Sequence, residues 1–561
     1  MKQNYCSKLN INNIGQEVEL FGWIANKRKF KGQMFIDLRD SSGIVQLVFQ
    51  NIVDPLLTKE SCIKVKGLVQ KRLEANRELE SGEIEILVEE YEILNSSKQI
   101  PFDINDNRDN SANEDLRLEY RFLDIRNAKV LHNLKLRHKL LLLIRNFFDK
   151  ENFIEVETPI LAKSTPEGAR DYLVPTRRKG KFFALPQSPQ LFKQLLMAGG
   201  LEKYFQLARV FRDEDLRKDR QPEFTQLDIE MSFANQEDIF KICEDMWVYV
   251  LNELGYKIEN NFPRMDFDYA MKHYGNDKPD TRYEYLIEDY SAEFSSKFKK
   301  KYVKAIIFDR DVTEHIKIIN ETFKKNNGDF FEILDLSFPK CDFSNHLSSI
   351  CKSKTSKFGL VSASDDEEDA LKSLGAIRTL LNEIYNLADP NKLNFIWIVN
   401  WPMFEYDKEN QTYAPAHHPF TQFEENTLKY LDSKEYSKVK AKSYDLVLNG
   451  FELGSGSIRI YDLKTQRKMF DILNMSEKEQ NSRFGFFLKS FEYGLPPHCG
   501  IAFGIERVLM ILTKSSSIRD VIAFPKNAKG VDLLTSAPSE VTKEQLFEYG
   551  LEIKKQGDKN E

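Results

Sequence analysis

The sequence has no C-x-x-C pair: its six cysteines (Cys6, Cys62, Cys243, Cys341, Cys351 and Cys499) stand singly along 561 residues. That scatter argues against a disulfide framework and a zinc site, and fits a reducing compartment. Long hydrophobic runs are missing too. The longest aliphatic run, Leu140 to Ile144, stops at Arg145, far short of a membrane span, and Met1 to Asn13 is polar where a secretion signal would be apolar. Together these predict a cytoplasmic enzyme with no membrane association. Charge of one sign is also scarce: 81 basic against 87 acidic residues leave a net charge of −6, so affinity for a polyanion must come from local patches. There is no G-x-x-x-x-G-K-[ST] phosphate loop, and Gly454 and Gly456 lack the third glycine of a G-x-G-x-x-G. No internal repeat or low-complexity tract is present.

What remains is an ordinary globular composition, with 41% hydrophobic and 30% charged residues. At about 100 to 200 residues per domain, the length predicts roughly three to five domains. Five short apolar runs, Val18 to Ile24, Met34 to Leu38, Ile44 to Phe49, Cys62 to Val69 and Ile84 to Val88, have Gly22, Gly32, Gly43, Gly67 and Gly82 at or between them. This is the pattern of a small β-barrel, and an OB-fold is the natural expectation. Ser96 to Asn113, with Pro101 and several Asn and Asp, reads as a linker. Leu136, Leu140, Leu143, Ile144 and Phe147 then recur at helical spacing before a short strand around Ile154 and Val156. From Asn261 to about Lys392 lysine and asparagine rise and glycine thins out, as in an inserted domain; Lys354 to Lys357 within it reads as a surface charge run. After Phe395 mixed strands and loops return, with Gly, His and Arg concentrated in Asn449 to Arg459 and Gly494 to Arg507.

The densest chemistry lies in Phe211-Arg212-Asp213-Glu214-Asp215-Leu216-Arg217 and Arg220 to Glu230. Arginines and carboxylates around one hairpin loop can hold a polyphosphate and its purine, because guanidinium binds phosphate oxygens bidentately and stays charged. A solvated, salt-bridged hairpin would also produce any single Arg-Asp pair here. Gly500-Ile501-Ala502-Phe503-Gly504-Ile505-Glu506-Arg507 runs from a small-residue strand into a helix start, which is a phosphate site in principle and ordinary strand-to-helix packing otherwise.

These two segments resemble motifs 2 and 3 of the class II aminoacyl-tRNA synthetases, and Phe153 to Pro159 resembles motif 1, whose proline lies in the dimer interface. Thr165 to Tyr172, Gln187 to Gln194, Phe211 to Glu230 and Ser517 to Lys526 narrow the resemblance to the bacterial-type aspartyl-tRNA synthetases. Tyr274 to Asp280 is similar to the lead into that type's extra domain. The likeness covers nearly the whole chain but fades between about Thr281 and Asn394. It implies an α+β multidomain fold: an OB-fold anticodon-binding domain over 1–103 and a hinge or linker over 104–122. An antiparallel-sheet catalytic domain would follow over 123–268, broken by an insertion over 269–394 and resumed over 395–540, with a C-terminal extension over 541–561. The implied activity is ATP-dependent ligation of L-aspartate to tRNA-Asp through an aspartyl-adenylate, by a homodimer using Mg²⁺.

The same resemblance assigns residues. Arg212 would contact the α-phosphate and the substrate carboxylate, Glu214 the adenine amino group, Phe224 the base and Arg507 the γ-phosphate. Gln221, Asp213, Gly504, Ile505 and Glu506 complete the ATP site. Asp445 and Glu452 would be the Mg²⁺ ligands, hard oxygens of the kind that ion takes. Lys193 and Arg459 would clamp the aspartate side chain with His417 and His418 beside them. Ser188, Gln190, Asp228 and Glu167 would orient the ammonium and close the pocket. Neutral asparagine would then leave buried charge uncompensated, and Arg459→Leu is expected to abolish aspartate activation with the fold intact. Arg28, Phe35, Gln46 and Asn76 fall where anticodon bases are met, although Phe35 equally suits a barrel core.

Ser455 and Cys499 stand where this family usually has glycine, and the insertion is shorter and richer in lysine than usual. Asparaginyl- and lysyl-tRNA synthetases share the barrel and motifs, but Gln187 to Lys193 and Arg459 favour an acidic substrate. A nucleic-acid-binding protein with a degenerate synthetase fold is the alternative of another class. Phe30 after Lys27-Arg28-Lys29, in place of a histidine, favours strict charging of tRNA-Asp, while charging of tRNA-Asn stays open.

Overall fold

Alternation explains the N-terminal barrel. Strands β1 (Glu17–Phe30), β2 (Gln33–Arg39), β3 (Ile44–Gln50), β4 (Cys62–Lys71) and β5 (Ile84–Asn95) close in the order β1-β2-β3-β5-β4. Every second residue, such as Val18, Leu20, Ile24, Met34, Ile36, Leu38, Val45, Leu47 and Phe49, enters one apolar core. β3 and β5 pair in parallel and the other neighbours antiparallel.

The computed structural model describes residues 4–554 except 31, 51–53, 105–111, 166–167, 338, 351–357 and 408–410. Glu167 and the Lys354 to Lys357 run therefore lie outside the described residues. The chain forms two compact units, Met1–Lys135 with Arg519–Ser539, and Leu136–Ile518 with Glu540–Glu561. Residues 519–539 thus group with the barrel, where the sequence reading ran the catalytic part on to 540. The segment read as a linker carries helix Glu114–Glu119, whose N-cap Asn113 accepts from Asp115 N, and the turn Arg121–Asp124. Arg121 donates to the carbonyls of Ala523 and Ile522, which is how a distant stretch of sequence joins this unit.

The second unit is built on an eight-stranded sheet. Its order is Arg264–Asp266, Phe395–Val399, Ser443–Leu448, Phe451–Ile458, His498–Gly504, Glu223–Ser232, Lys203–Phe211 and Ile154–Glu155. The six central strands are antiparallel, and only the short edge strands pair in parallel. Helix Gln236–Glu253 packs on this sheet through Phe240, Met246 and Trp247, and Phe240 stacks on Trp397 at 4.0 Å. The insertion is a separate antiparallel sheet, ordered Ile287–Asp289, Tyr302–Phe308, Phe358–Ser364 and Phe330–Asp335, with an apolar core on each face. Among the described residues no helix is long and apolar enough to cross a membrane.

Candidate active site

Antiparallel pairing of Lys203–Phe211 with Glu223–Ser232 leaves residues 212–222 as a loop over one end of the sheet. The loop, helix Gln190–Ala198, the hairpin Ser443–Ile458 and strand His498–Gly504 surround a cavity of about 350 Å³. Ser188, Gln190, Lys193, Arg212, Glu214, Gln221, Phe224, His417, His418, Glu452, Arg459, Gly504, Glu506 and Arg507 all line it. Residues spread over more than three hundred positions therefore converge on one space. Asp213, Asp228, Asp445 and Ile505 are not on its wall: Ile505 is fully buried core, and Asp213 N bonds the carbonyl of Arg170.

The base of the cavity is an ion cluster. Lys193 and Arg459 are each only 1% exposed, and Asp228 and Glu230 are completely buried. Lys193 Nζ lies 3.0 Å from Asp228 Oδ1 and 3.3 Å from Glu230 Oε2. Arg459 Nε and Nη2 donate to the two oxygens of Glu230 at 2.9 and 3.1 Å, and Nη1 donates to Ser457 Oγ and His418 Nε2, both at 2.6 Å. Burial alone would raise the Glu230 carboxyl, but Arg459 and Lys193 hold it down at about 2. At Asp228 burial outweighs Lys193 and the carboxyl is raised. Space for Glu230 exists because residue 500 is glycine: a β-carbon there would stand 1.9 Å from Glu230 Oε2.

This pairing corrects the charge argument. Lys193 and Arg459 are already balanced by Asp228 and Glu230, so a neutral ligand leaves no naked cation. What such a site can select by is donor direction. Among the described residues, the contacts above occupy four of the five N–H donors of Arg459 and two of the three of Lys193, so each retains one. A carboxylate can accept both, whereas an amide would set its own N–H against one of them and leave a buried donor unpaired. Glu230, Ser457 and Gly500 were given no role from sequence. Their signals were membership of the Phe211 to Glu230, Asn449 to Arg459 and Gly500 to Arg507 stretches.

Both histidines are neutral. Burial first, then Arg459, pushes His418 well below its usual value and His417 down to about 4. His417 Nδ1 is 3.3 Å from Ser455 Oγ, and its ring packs edge-on against Trp401. Ser455 thus occupies its usual-glycine position as a cavity-lining hydroxyl, and Cys499 is a fully buried thiol beside Asn235 O. Gln190 Nε2, Gln226 Oε1, His417 Nε2 and Arg507 Nε are buried without a hydrogen-bond partner among the described residues. Polar atoms left so are the ones a polar ligand would satisfy.

The upper wall carries arginines with few ties. Arg212 lies over the Phe224 ring at 5.3 Å and reaches Gln187 O at 3.5 Å. Glu214 pairs with Arg220 at 3.1 Å. Arg507 donates to Glu452 O and lies 3.3 Å from Asp219 Oδ2, a partner not foreseen from sequence. Glu506 is held by Thr225 N and by Arg137 at 2.9 Å. On the hairpin, burial first and then Glu452 raises the Asp445 carboxyl well above its usual range. Its Oδ1 has no hydrogen-bond partner among the described residues. A buried, unsatisfied oxygen beside a second carboxylate fits a hard divalent cation that also takes phosphate oxygens.

In the barrel unit the strand register decides the face. Phe35 is opposite Arg28 and points away from the core that takes Met34 and Ile36. Arg28 contacts Asp37 Oδ1 at 3.1 Å and Gln46 Oε1 at 3.4 Å, so Arg28, Phe35 and Gln46 share the outer face. The Gln46 amide already donates to Glu85 at 2.7 Å and is buried. Asn76 sits in the β4–β5 loop, where its side chain accepts from Glu78 N.

A family model described as class II tRNA synthetases (D, K and N) matches residues 113–528, about three quarters of the chain. This chain belongs to that family. A second model, the OB-fold nucleic acid binding domain, matches residues 18–94 of the synthetase. It is 45% identical to an aspartate–tRNA(Asp/Asn) ligase of Dictyoglomus turgidum over 98% of both chains. It is 44% identical to an aspartate–tRNA ligase of Malacoplasma penetrans over 99% of this chain and 100% of that one. The fold of the synthetase matches that of asparaginyl-tRNA synthetase from Pyrococcus horikoshii complexed with asparaginyl-adenylate. The TM-score is 0.60 at 20% identity, covering 94% of this chain and 98% of that one. An aspartyl-tRNA synthetase from Entamoeba histolytica gives 0.60 at 17% identity, covering 94% and 92%. Members of this family use ATP, typically with a divalent metal, and bind tRNA.

Proposed function

We propose that this synthetase joins L-aspartate to tRNA-Asp in two steps. The aspartate α-carboxylate attacks the α-phosphate of ATP in line and displaces pyrophosphate, and the terminal ribose hydroxyl of the tRNA then takes the aspartyl group from AMP. The observation carrying this reading is the Lys193–Arg459 pair at the cavity base, two converging donors for an acidic side chain. The two relatives named above, both aspartate–tRNA ligases, support it. Catalysis here is positioning and charge stabilisation, with no protein nucleophile or general base. Arg212 would meet the α-phosphate and the substrate carboxylate, Arg507 the γ-phosphate, Phe224 the adenine ring and Glu214 its amino group, with Gln221 and Gly504 completing the ATP site. Ser188, Gln190 and Asp228 would orient the ammonium, and His417 and His418 would flank the side chain. Asp445 and Glu452 would hold Mg²⁺, which when bound offsets the charge of the phosphates.

The test is amino-acid-dependent ATP–pyrophosphate exchange across the standard amino acids, followed by charging of tRNA-Asp and tRNA-Asn. Exchange with aspartate alone is expected. Exchange with asparagine or lysine, or with nothing, would overturn the assignment.

The carboxylate pair has its own test. Asp445→Asn should lower exchange by about 10²-fold or more, since a metal ion contributes several kcal/mol of charge stabilisation. Thermal melting with and without Mg²⁺–ATP should show a stabilisation of wild type that the variant lacks. An equal shift in both would remove Asp445 from the cation site.

The outer face of the barrel, within the proposed domain 1–103, would bind the anticodon. Phe35→Ala should raise KM for tRNA about tenfold or more, because stacking on one base is worth roughly 1–3 kcal/mol, and leave pyrophosphate exchange unchanged. Unaltered charging kinetics would mean that no base stacks there. Ile154, Ile160 and Leu161, apolar and exposed around Pro159, suit a homodimer interface. We place the enzyme in the cytoplasm, consistent with five described cysteines that are all free.

A further inference from the structure

The inserted domain is rooted on the hairpin that carries Asp445 and Glu452. That hairpin turns at Asn449 and Gly450, with φ of 53° and 84°. Two successive positive φ values make a turn that suits an Asn-Gly pair and matches strand twist. The chain leaving the insertion grips the turn. Asn394 N donates to Asn449 Oδ1 at 2.9 Å, Asn449 N donates to Asn394 O at 3.2 Å, and Asn449 Nδ2 donates to Lys392 O at 3.0 Å. The chain leading into the insertion lies against the same turn, with Asp280 Cβ only 3.2 Å from where a β-carbon on Gly450 would stand.

These two roots are also tied to each other. Asn394 Nδ2 donates to Thr281 Oγ1, and Arg282 pairs with Asp280 at 2.7 Å while donating to Asp389 O at 3.1 Å. Arg378, on helix Glu367–Tyr385 and only 3% exposed, donates to the carbonyls of Asp280, Tyr283, Glu284 and Tyr285. It also lies 4.8 and 4.0 Å from the rings of Tyr274 and Tyr283. A buried guanidinium whose Nε and Nη2 donate to four carbonyls of one short segment fixes that segment in a single course.

We infer that the inserted domain positions the carboxylate pair: Asn449, Asn394 and Arg378 hold the Asp445–Glu452 hairpin in register for a divalent cation and its phosphate partner. This rests on the reading of Asp445 and Glu452 given above. A cation site tolerates little displacement of its ligands, and groups that orient ligands without touching the ion typically change metal affinity about 10- to 100-fold.

Asn449→Gly separates turn from grip, because glycine keeps both positive φ values while removing the side-chain bonds to Lys392 and Asn394. In the full-length enzyme three measurements are made. Hydrogen exchange without metal should show faster exchange of the amides from Leu446 to Leu453. Mn²⁺ binding in the presence of a non-hydrolysable ATP analogue, followed by electron paramagnetic resonance, should weaken about tenfold. Half-saturating Mg²⁺ for pyrophosphate exchange should rise about as much, with KM for aspartate within about twofold. Arg378→Met should move all three in the same direction, and Arg378→Lys should partly restore them. Unchanged Mn²⁺ binding in folded Asn449→Gly and Arg378→Met would overturn the inference, as would unchanged hairpin exchange. Wild-type enzyme that binds Mn²⁺ but shows no aspartate-dependent exchange would instead defeat the substrate assignment and leave the positioning role standing.

Discussion

Replacing Arg459 by leucine should abolish aspartate-dependent pyrophosphate exchange and lower the melting temperature as well. From sequence the substitution is expected to spare the fold, and the buried pairing adds a cost in stability. Arg459 is 1% exposed and holds both oxygens of Glu230, which is itself completely buried. Removing one partner of a buried pair costs about 3–5 kcal/mol, because a charge stays behind without compensation. Lys193, 3.3 Å from Glu230, softens this, so we expect the lower end of that range and a fall of several degrees. His418 loses its donor as well, and the hydroxyl of Ser457 loses its arginine. Activity should fall to background because the acidic side chain loses one of its two converging donors. Circular dichroism melting and isotope exchange on one preparation separate the effects. The double variant Arg459→Leu, Glu230→Leu should regain much of the stability and none of the activity. Wild-type activation by Arg459→Leu alone would remove Arg459 from the aspartate pocket.

Arg212→Ala should behave differently, losing about 10³-fold or more in kcat while melting within about a degree of wild type. Arg212 is only half-buried, and its guanidinium makes one long bond to Gln187 O and one face contact with Phe224. The folded protein gains little from it, which is what a cation reserved for a transient charge looks like. Single-turnover measurements should place the loss in the adenylate step. A variant whose KM for ATP rises while kcat stays intact would show that Arg212 binds the ground state without favouring the transition state.

The contrast between these two arginines shows what could be read early. Alternation along β1 to β3 dictates the barrel, because a period of two leaves one face apolar, whereas the turn signal of the Asn449-Gly450 pair went unread. Pairing along the Phe211 to Glu230 string places Arg212 and Glu214 on the connecting loop and Phe224 on the strand that follows it. The helix Glu114–Glu119 within the supposed linker was missed because Asn and Asp serve as helix caps as readily as they fill loops. The face taken by Phe35 was undecidable until the register with Arg28 was known.

The sequence by itself determined the family, the barrel and most residues of the cavity wall, because those follow from local periodicity and from contiguous motifs. Only the tertiary structure decided that Lys193 and Arg459 meet Asp228 and Glu230, that Arg507 meets Asp219, and that the insertion's roots meet the Asn449–Gly450 turn. Each of these joins residues from separate segments, and a charge shows its net value only when its buried neighbours are known.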